Sequence, residues 1–166
     1  MTGKGEQEME TQRIRGVALI VQNPKGEILI LQEYETKPRF GKYCGMFSVP
    51  METSEPDESD YHAIVRLSEE ELPGLDFLFD GVLQARIGSY QIVSHVWVNL
   101  YSVRATNARL PDSKDSKNKE VGNYRWTSPK KALNLWLRQG AREMINDFID
   151  NKKGALCKCC CPPHEK

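Results

Sequence analysis

Between Gly45 and Gly74 the chain reads GMFSVPMETSEPDESDYHAIVRLSEEELPG, a loop of carboxylates running into an amphipathic segment that ends in three consecutive glutamates. With Pro56 just outside and Asp57 or Ser59 as N-cap, the pattern predicts a helix starting near Glu58, where an acid suits the positive end of the dipole. Ala63, Ile64, Leu67 and Leu72 give that helix a core-facing stripe. Arg66 then lies one turn before Glu70, within pairing reach, while Glu70 and Glu71 diverge by about 100° on adjacent flanks. Two acids so placed both reach a cation at the helix edge. Hard divalent ions such as magnesium take oxygen ligands and bind phosphate as well, which suits a diphosphate substrate. The bland alternative is a solvated helix end, and an unfavourable one, because acids oppose the negative C-terminal dipole.

The segment resembles the Nudix box: a glycine, five residues, a glutamate, seven residues, Arg-Glu, an aliphatic, any residue, Glu-Glu, any residue, Gly. Laid on this chain, the first glutamate falls on Glu58, the arginine on Arg66 and the acid pair on Glu70 and Glu71, with Phe47, Pro50, Glu55 and Ser59 keeping the upstream register. The departures are Met51 and Glu52 for Gly-Gly, Leu67 for the glutamate after the arginine, Ser68 for the aliphatic, and Pro73, which displaces the final glycine to Gly74. In much of the family the glutamate at the Leu67 position is a metal ligand or general base, and leucine neither coordinates nor accepts a proton. The glycine pair offers a backbone carbonyl to the metal, and a side chain there restricts positive φ. The resemblance implies a Nudix-like α/β/α sandwich with a mixed β-sheet.

Around this segment the chain reads as strands and a closing helix. RGVALIVQ and EILILQEY, separated by Asn23-Pro24-Lys25-Gly26, predict a largely buried hairpin. Thr36 to Cys44 is a basic loop, equally consistent with a solvated connection and a phosphate-facing one. Phe77 to Ile87 and Tyr90 to Val103 are strand-like, joined at Gly88-Ser89. In the second run Ile92, Val96, Val98 and Leu100 share one face and His95, Trp97, Asn99 and Tyr101 the other, whose aromatics are more readily packed under a helix than stacked on a base. Leu110 to Asn123 reads as a long surface loop. Ser128-Pro129 opens a helix whose stripe, Leu133, Trp136, Leu137, Ala141, Met144, Ile145, Phe148 and Ile149, runs through Gly140, a point of breakage or bending.

Charge and composition narrow the function. Lys plus Arg equals Asp plus Glu at 23 each, so no overall field argues for nucleic acid or an anionic membrane, and any phosphate recognition is local. No apolar run approaches the roughly 20 residues that cross a bilayer, and the start lacks a signal-peptide core, so a cytoplasmic location is expected. The expected organisation is a disordered arm over residues 1–12, one domain over 13–150 and a cysteine-rich tail over 151–166. In that tail Cys157, Cys159, Cys160 and Cys161 crowd without the spacing of a zinc site and read as solvated and oxidisable.

Two functions are carried forward. The first, implied by the resemblance, is a Mg2+- or Mn2+-dependent hydrolase of a nucleoside diphosphate linked to another moiety. Glu70 and Glu71 would hold the metal, Arg66 would orient the helix acids or bridge to Glu58, and Glu120, a late-loop acid, would replace the missing carboxylate as ligand or base. The alternative is a degenerate Nudix-like domain that binds nucleotide or serves as a regulatory module. Homodimerisation is left open.

Overall fold

In the computed structural model, which describes residues 12–112, 114–117 and 119–159 (the last seven by backbone alone), the run from Ile14 lies at the centre of an eight-stranded mixed sheet. The arm expected over 1–12, but for Gln12, and the side chains of the Cys157–Cys161 cluster lie outside the described residues. Strand β1 (Ile14–Gln22) pairs in parallel with β7 (Val96–Ala105) along its whole length, from Ile14↔Val96 to Gln22↔Arg104. Both faces of β1 are covered, which is why its sequence is a continuous apolar run rather than an alternation. Val17, Leu19 and Val21 enter one core layer beneath α1 (Asp60–Glu71). Ala18 and Ile20 enter the other, beneath α3 (Ala141–Cys159). The sandwich is thus helix, mixed sheet, helix, as the resemblance implies.

The expected hairpin is different in kind. β1 and β2 (Ile28–Glu33) share a single pair, Gln22↔Ile28, and then part. Into the fork runs the chain from Phe47 to Thr53: β3 (Phe47–Ser48) pairs with β2 and β4 (Met51–Thr53) with β1. β8 (Val121–Thr127) covers the outer edge of β2, where a loop was expected as far as Asn123. A glycine, a left-handed Asn123 at φ 46° and a break in register near Ile30 and Gln32 disguise that strand's alternation.

The stretch from Phe77 to Ile87 is not one strand. It divides into β5 (Phe77–Leu78), a 3-10 turn at Val82–Ala85 and the start of β6 (Arg86–Val93). The β6–β7 hairpin turns at Ser94-His95, while Gly88-Ser89 stays inside β6 beside a bulge, the other role glycine takes in a strand. The run expected as one strand from Tyr90 to Val103 is therefore two, with Ile92 in β6 and His95 in the turn; within β7 the opposed faces are as expected, with Val96, Val98 and Leu100 in one core layer and Tyr101 in the other, buried under α1 and donating to Asp60.

The helix expected from Ser128 onward is broken. α2 (Pro129–Ala132), capped by Ser128, lasts one turn. Phe47 N then donates to Trp136 O at 2.7 Å and Arg138 N to Phe47 O at 2.8 Å, so sheet-type bonds with β3 pull this segment out of helix. α3 begins only after Gly140, at φ +87°, and its backbone continues past residue 150, where the tail was expected to begin.

Candidate functional site

The parted end of β1 and β2 opens into a cleft of about 270 Å³. Gly16 contributes from one prong, Leu31 and Glu33 from the other, and Met51, Glu52 and Thr53 from the inserted segment. Phe40, Ile92, Val96 and Val98 add apolar surface to its lining. The same cleft is lined by charge of both signs, Arg15, Lys37, Lys42 and Arg138 with Glu33, Glu52, Glu71 and Glu120.

Helix α1 delivers the acids. Ser59, rather than Asp57, is its N-cap, accepting from His62 N at 3.2 Å, so Glu58 lies before the helix and not in its first turn. There its carboxylate takes Arg66 Nε at 3.0 Å, Arg66 Nη2 at 2.9 Å and Glu55 N at 3.0 Å. The Arg66 hydrogen bonds hold the Glu58 carboxyl at about 2, well below its usual range, and keep the guanidinium charged. Arg66 also donates to Thr53 O at 2.7 Å and stands 3.7 Å from Glu52 and 3.6 Å from Glu70. It therefore ties β4, the Glu58 turn and the helix acids into one unit.

At the other end of α1, Ser116 Oγ and Lys117 N donate to Glu70 O, and Tyr124 OH to Glu71 O, which satisfies carbonyls a helix end leaves open. The two side chains diverge as expected: Glu71 is buried and lines the cleft, while Glu70 is partly exposed beside Arg66. Leu67 is fully buried in the core layer under α1.

Glu120 reaches the cleft from the loop before β8. Lys37 donates to its Oε1 and Lys42 to its Oε2 at 2.9 Å, and these bonds hold its carboxyl below the usual range. Behind them lies a pair that sequence reasoning missed. Glu33, 2% exposed, takes Arg138 Nη1 at 3.2 Å and stands 3.4 Å from Lys42 Nζ, and Arg138 Nη2 donates to Phe40 O at 2.8 Å. An acid closing the apolar run ILILQE was the available signal for Glu33; Arg138 was hidden inside an expected helix.

Glu52 was read as a departure from the box and not as a site residue. In the structure it lines the cleft, and burial raises its carboxyl above the usual range, against Arg66 and reinforced by Glu70 and Glu120. Neither Met51 nor Glu52 needs the positive φ that glycine would permit, because both lie in β4 with ordinary strand backbone.

A family model described as NUDIX domain matches residues 12–148. The chain belongs to the Nudix family. Among solved structures, this Nudix chain is similar to the MutT protein of Methanosarcina mazei, at 22% identity and TM-score 0.61, covering 87% of this chain and 99% of that one. It is similar to a Caenorhabditis elegans Ap4A hydrolase in a binary complex, at 16% identity and TM-score 0.60, over 85% of this chain and 98% of that one. A third is the Nudix domain of Shewanella oneidensis NrtR in complex with ADP ribose, at 12% identity and TM-score 0.59, over 84% and 88%. At such identities these likenesses speak for the fold. No curated protein sequence matches the chain.

Nudix hydrolases generally use divalent metals. Among the described residues, no three His, Cys, Asp or Glu groups converge to hold a metal ion. The acids of the cleft are nonetheless hard oxygen donors, and Mg2+ commonly takes one or two carboxylates, with substrate phosphates and water completing its shell. The donor chemistry fits Mg2+ or Mn2+ bound together with a phosphate ligand.

Proposed function

We propose that this Nudix domain hydrolyses a nucleoside diphosphate linked to another moiety, with Mg2+ or Mn2+ as cofactor. The observation that carries the reading is the mixed lining of the cleft, which holds the apolar Phe40, Val96 and Val98 together with the charged Arg15, Lys37, Glu52, Glu71 and Glu120. Its apolar residues suit a base or a second organic group, and its charged residues a diphosphate. The similar proteins named for Ap4A hydrolysis and for an ADP ribose complex point to the same ligand class.

Glu70 and Glu71 would hold the metal, which when bound neutralises phosphate charge and activates water. Arg66, held by Glu58 and the Thr53 carbonyl, orients the acids rather than touching substrate. Lys37 and Lys42 hold Glu120 in place and present ammonium groups to the diphosphate. Glu120 is the late-loop carboxylate of the site. Its lysine partners make it a weaker base than a free carboxylate.

A second reading, a nucleotide-binding module that has lost turnover, is favoured by one observation. Leu67 is packed in the core where the family pattern has a catalytic-helix glutamate. Product chromatography after incubation with ADP-ribose, Ap4A and sugar nucleotides, with Mg2+ or Mn2+, separates the two. Metal-dependent release lost in Glu70→Gln and Glu71→Gln supports the hydrolase. Calorimetric binding of ADP-ribose without release from any substrate supports the module, and neither binding nor release overturns both.

A further inference from the structure

At the end of the sheet away from the cleft, the central strands build a second hollow. Gln22 of β1 and Leu78 of β5 are both register partners of Arg104 of β7, so the three side chains stand in a row on one face. Their chain neighbours Val21, Phe77 and Val103 enter the core layer under α1, which sends the row to the α3 side. Phe148 belongs to the core layer on that side, and one helical turn later α3 carries Lys152. The row and Lys152 line a groove of about 540 Å³, together with Asn23, Pro24 and Gly26 of the β1–β2 turn and Ala105 and Thr106 at the end of β7. Gly16 lines the cleft and Gln22 this groove, so about 20 Å of extended strand separates the two.

Among the described residues, the lining of the groove holds two cations, Arg104 and Lys152, and no carboxylate. The Lys152 ammonium is seated over the Phe148 ring, 5.0 Å from its centroid. Partial burial, and then the Arg104 charge, push that ammonium below its usual range. In the cleft, by contrast, Lys37, Lys42, Arg66 and Arg138 each face a carboxylate. Neither Arg104 nor Lys152 joins an ion pair with a described residue, so the two repel without a counterion, and an anion between them relieves the repulsion. A guanidinium fork beside an ammonium matches the oxygens of a phosphate group, which accept from both. Leu78, 56% exposed, and Pro24 add apolar surface, and the volume is in the range that holds a small organic ligand.

We propose that this groove binds a small phosphate monoester, its phosphate held between Arg104 and Lys152 and its organic part lying over Leu78 and Pro24. The site is separate from the cleft and does not depend on the hydrolase reading.

The test is an amide NMR titration of the full chain, without metal, using AMP and inorganic phosphate as probes. AMP is expected to shift the amides of Gly26, Arg104, Thr106 and Lys152 with a Kd below about 1 mM, and phosphate to shift the same amides at least about threefold more weakly. Arg104→Gln combined with Lys152→Gln removes both charges from exposed positions, so the rest of the spectrum stays in place while AMP affinity at these amides falls at least about tenfold. Shifts confined to cleft residues such as Gly16, Lys42 and Val121 overturn the site, as does an affinity that the paired substitution leaves unchanged. Equal affinities for AMP and phosphate overturn the place given to the organic part. If vesicles of anionic phospholipid bind and neither small probe does, the two cations serve a membrane contact and the proposal falls.

Discussion

Replacing Arg138 by methionine removes the guanidinium that reaches the buried end of the cleft while keeping most of the apolar stem. Glu33, 2% exposed, then retains Lys42 at 3.4 Å, and that lysine is shared with Glu120 at 2.9 Å. Breaking a buried ion pair by removing one partner costs about 3–5 kcal/mol, and the remaining lysine holds this case near about 3 kcal/mol. The Phe40 carbonyl also loses its 2.8 Å donor, which adds about 1 kcal/mol. The sum, about 4 kcal/mol, is a large share of the roughly 5–15 kcal/mol that holds a domain folded. Removing the charge at both ends, with Glu33→Gln and Arg138→Met together, spares the uncompensated carboxylate and is expected to cost about 2 kcal/mol less than the sum of the singles. Urea unfolding followed by circular dichroism, at constant m, measures all three variants. An Arg138→Met cost below about 1 kcal/mol, or single costs that add within about 0.5 kcal/mol, would refute the claim that Glu33 and Arg138 stabilise each other.

Gly16→Ala places a methyl 2.6 Å from the Glu52 carbonyl oxygen and 3.2 Å from Val98 Cγ1. The expected cost is about 1–3 kcal/mol, read as a thermal midpoint lowered by about 3–10 °C, and an unchanged midpoint contradicts the close approach of β4. Glu58 has its carboxyl held at about 2, against an ordinary 4.5, by Arg66. Because the folded value is the lower one, its stabilisation is complete above 4.5 and is lost as pH falls from there toward about 2. Wild type should therefore exceed Glu58→Gln in urea midpoint at neutral pH, by a margin that shrinks through this window. A constant margin would rule out the linkage.

Much of the scaffold was legible because its signals are local. The apolar run of β1, the Ser-capped helix after the acid loop and the alternation of β7 each follow from side-chain period within one element. What escaped depended on pairing between distant segments. Trp136 and Arg138 read as helix because nothing nearby shows that Phe47 takes their backbone groups. The first three residues of β8, Val121 to Asn123, read as loop because their partner, β2, lies roughly 90 residues earlier and imposes strand geometry that glycine and asparagine only weakly favour. The candidate site divides in the same way. Glu70, Glu71 and Arg66 were visible through helical spacing. Glu33, Arg138 and Glu52 meet in the cleft only after three separate segments fold together.

The ladder between β1 and β2 stops at Gln22↔Ile28, so no strand-to-strand bond sets the separation of Gly16 on one prong from Glu33 on the other. That separation is measured out by the inserted segment, which bonds each prong on its own, with Val49 and Pro50 as the spacer between β3 and β4. Pro50 O fastens the spacer to Leu19 N at 3.0 Å. The bore of the cleft is therefore a property of spacer length. Lengthening or shortening those two residues would change the size of ligand admitted while the charged groups and both core layers kept their composition.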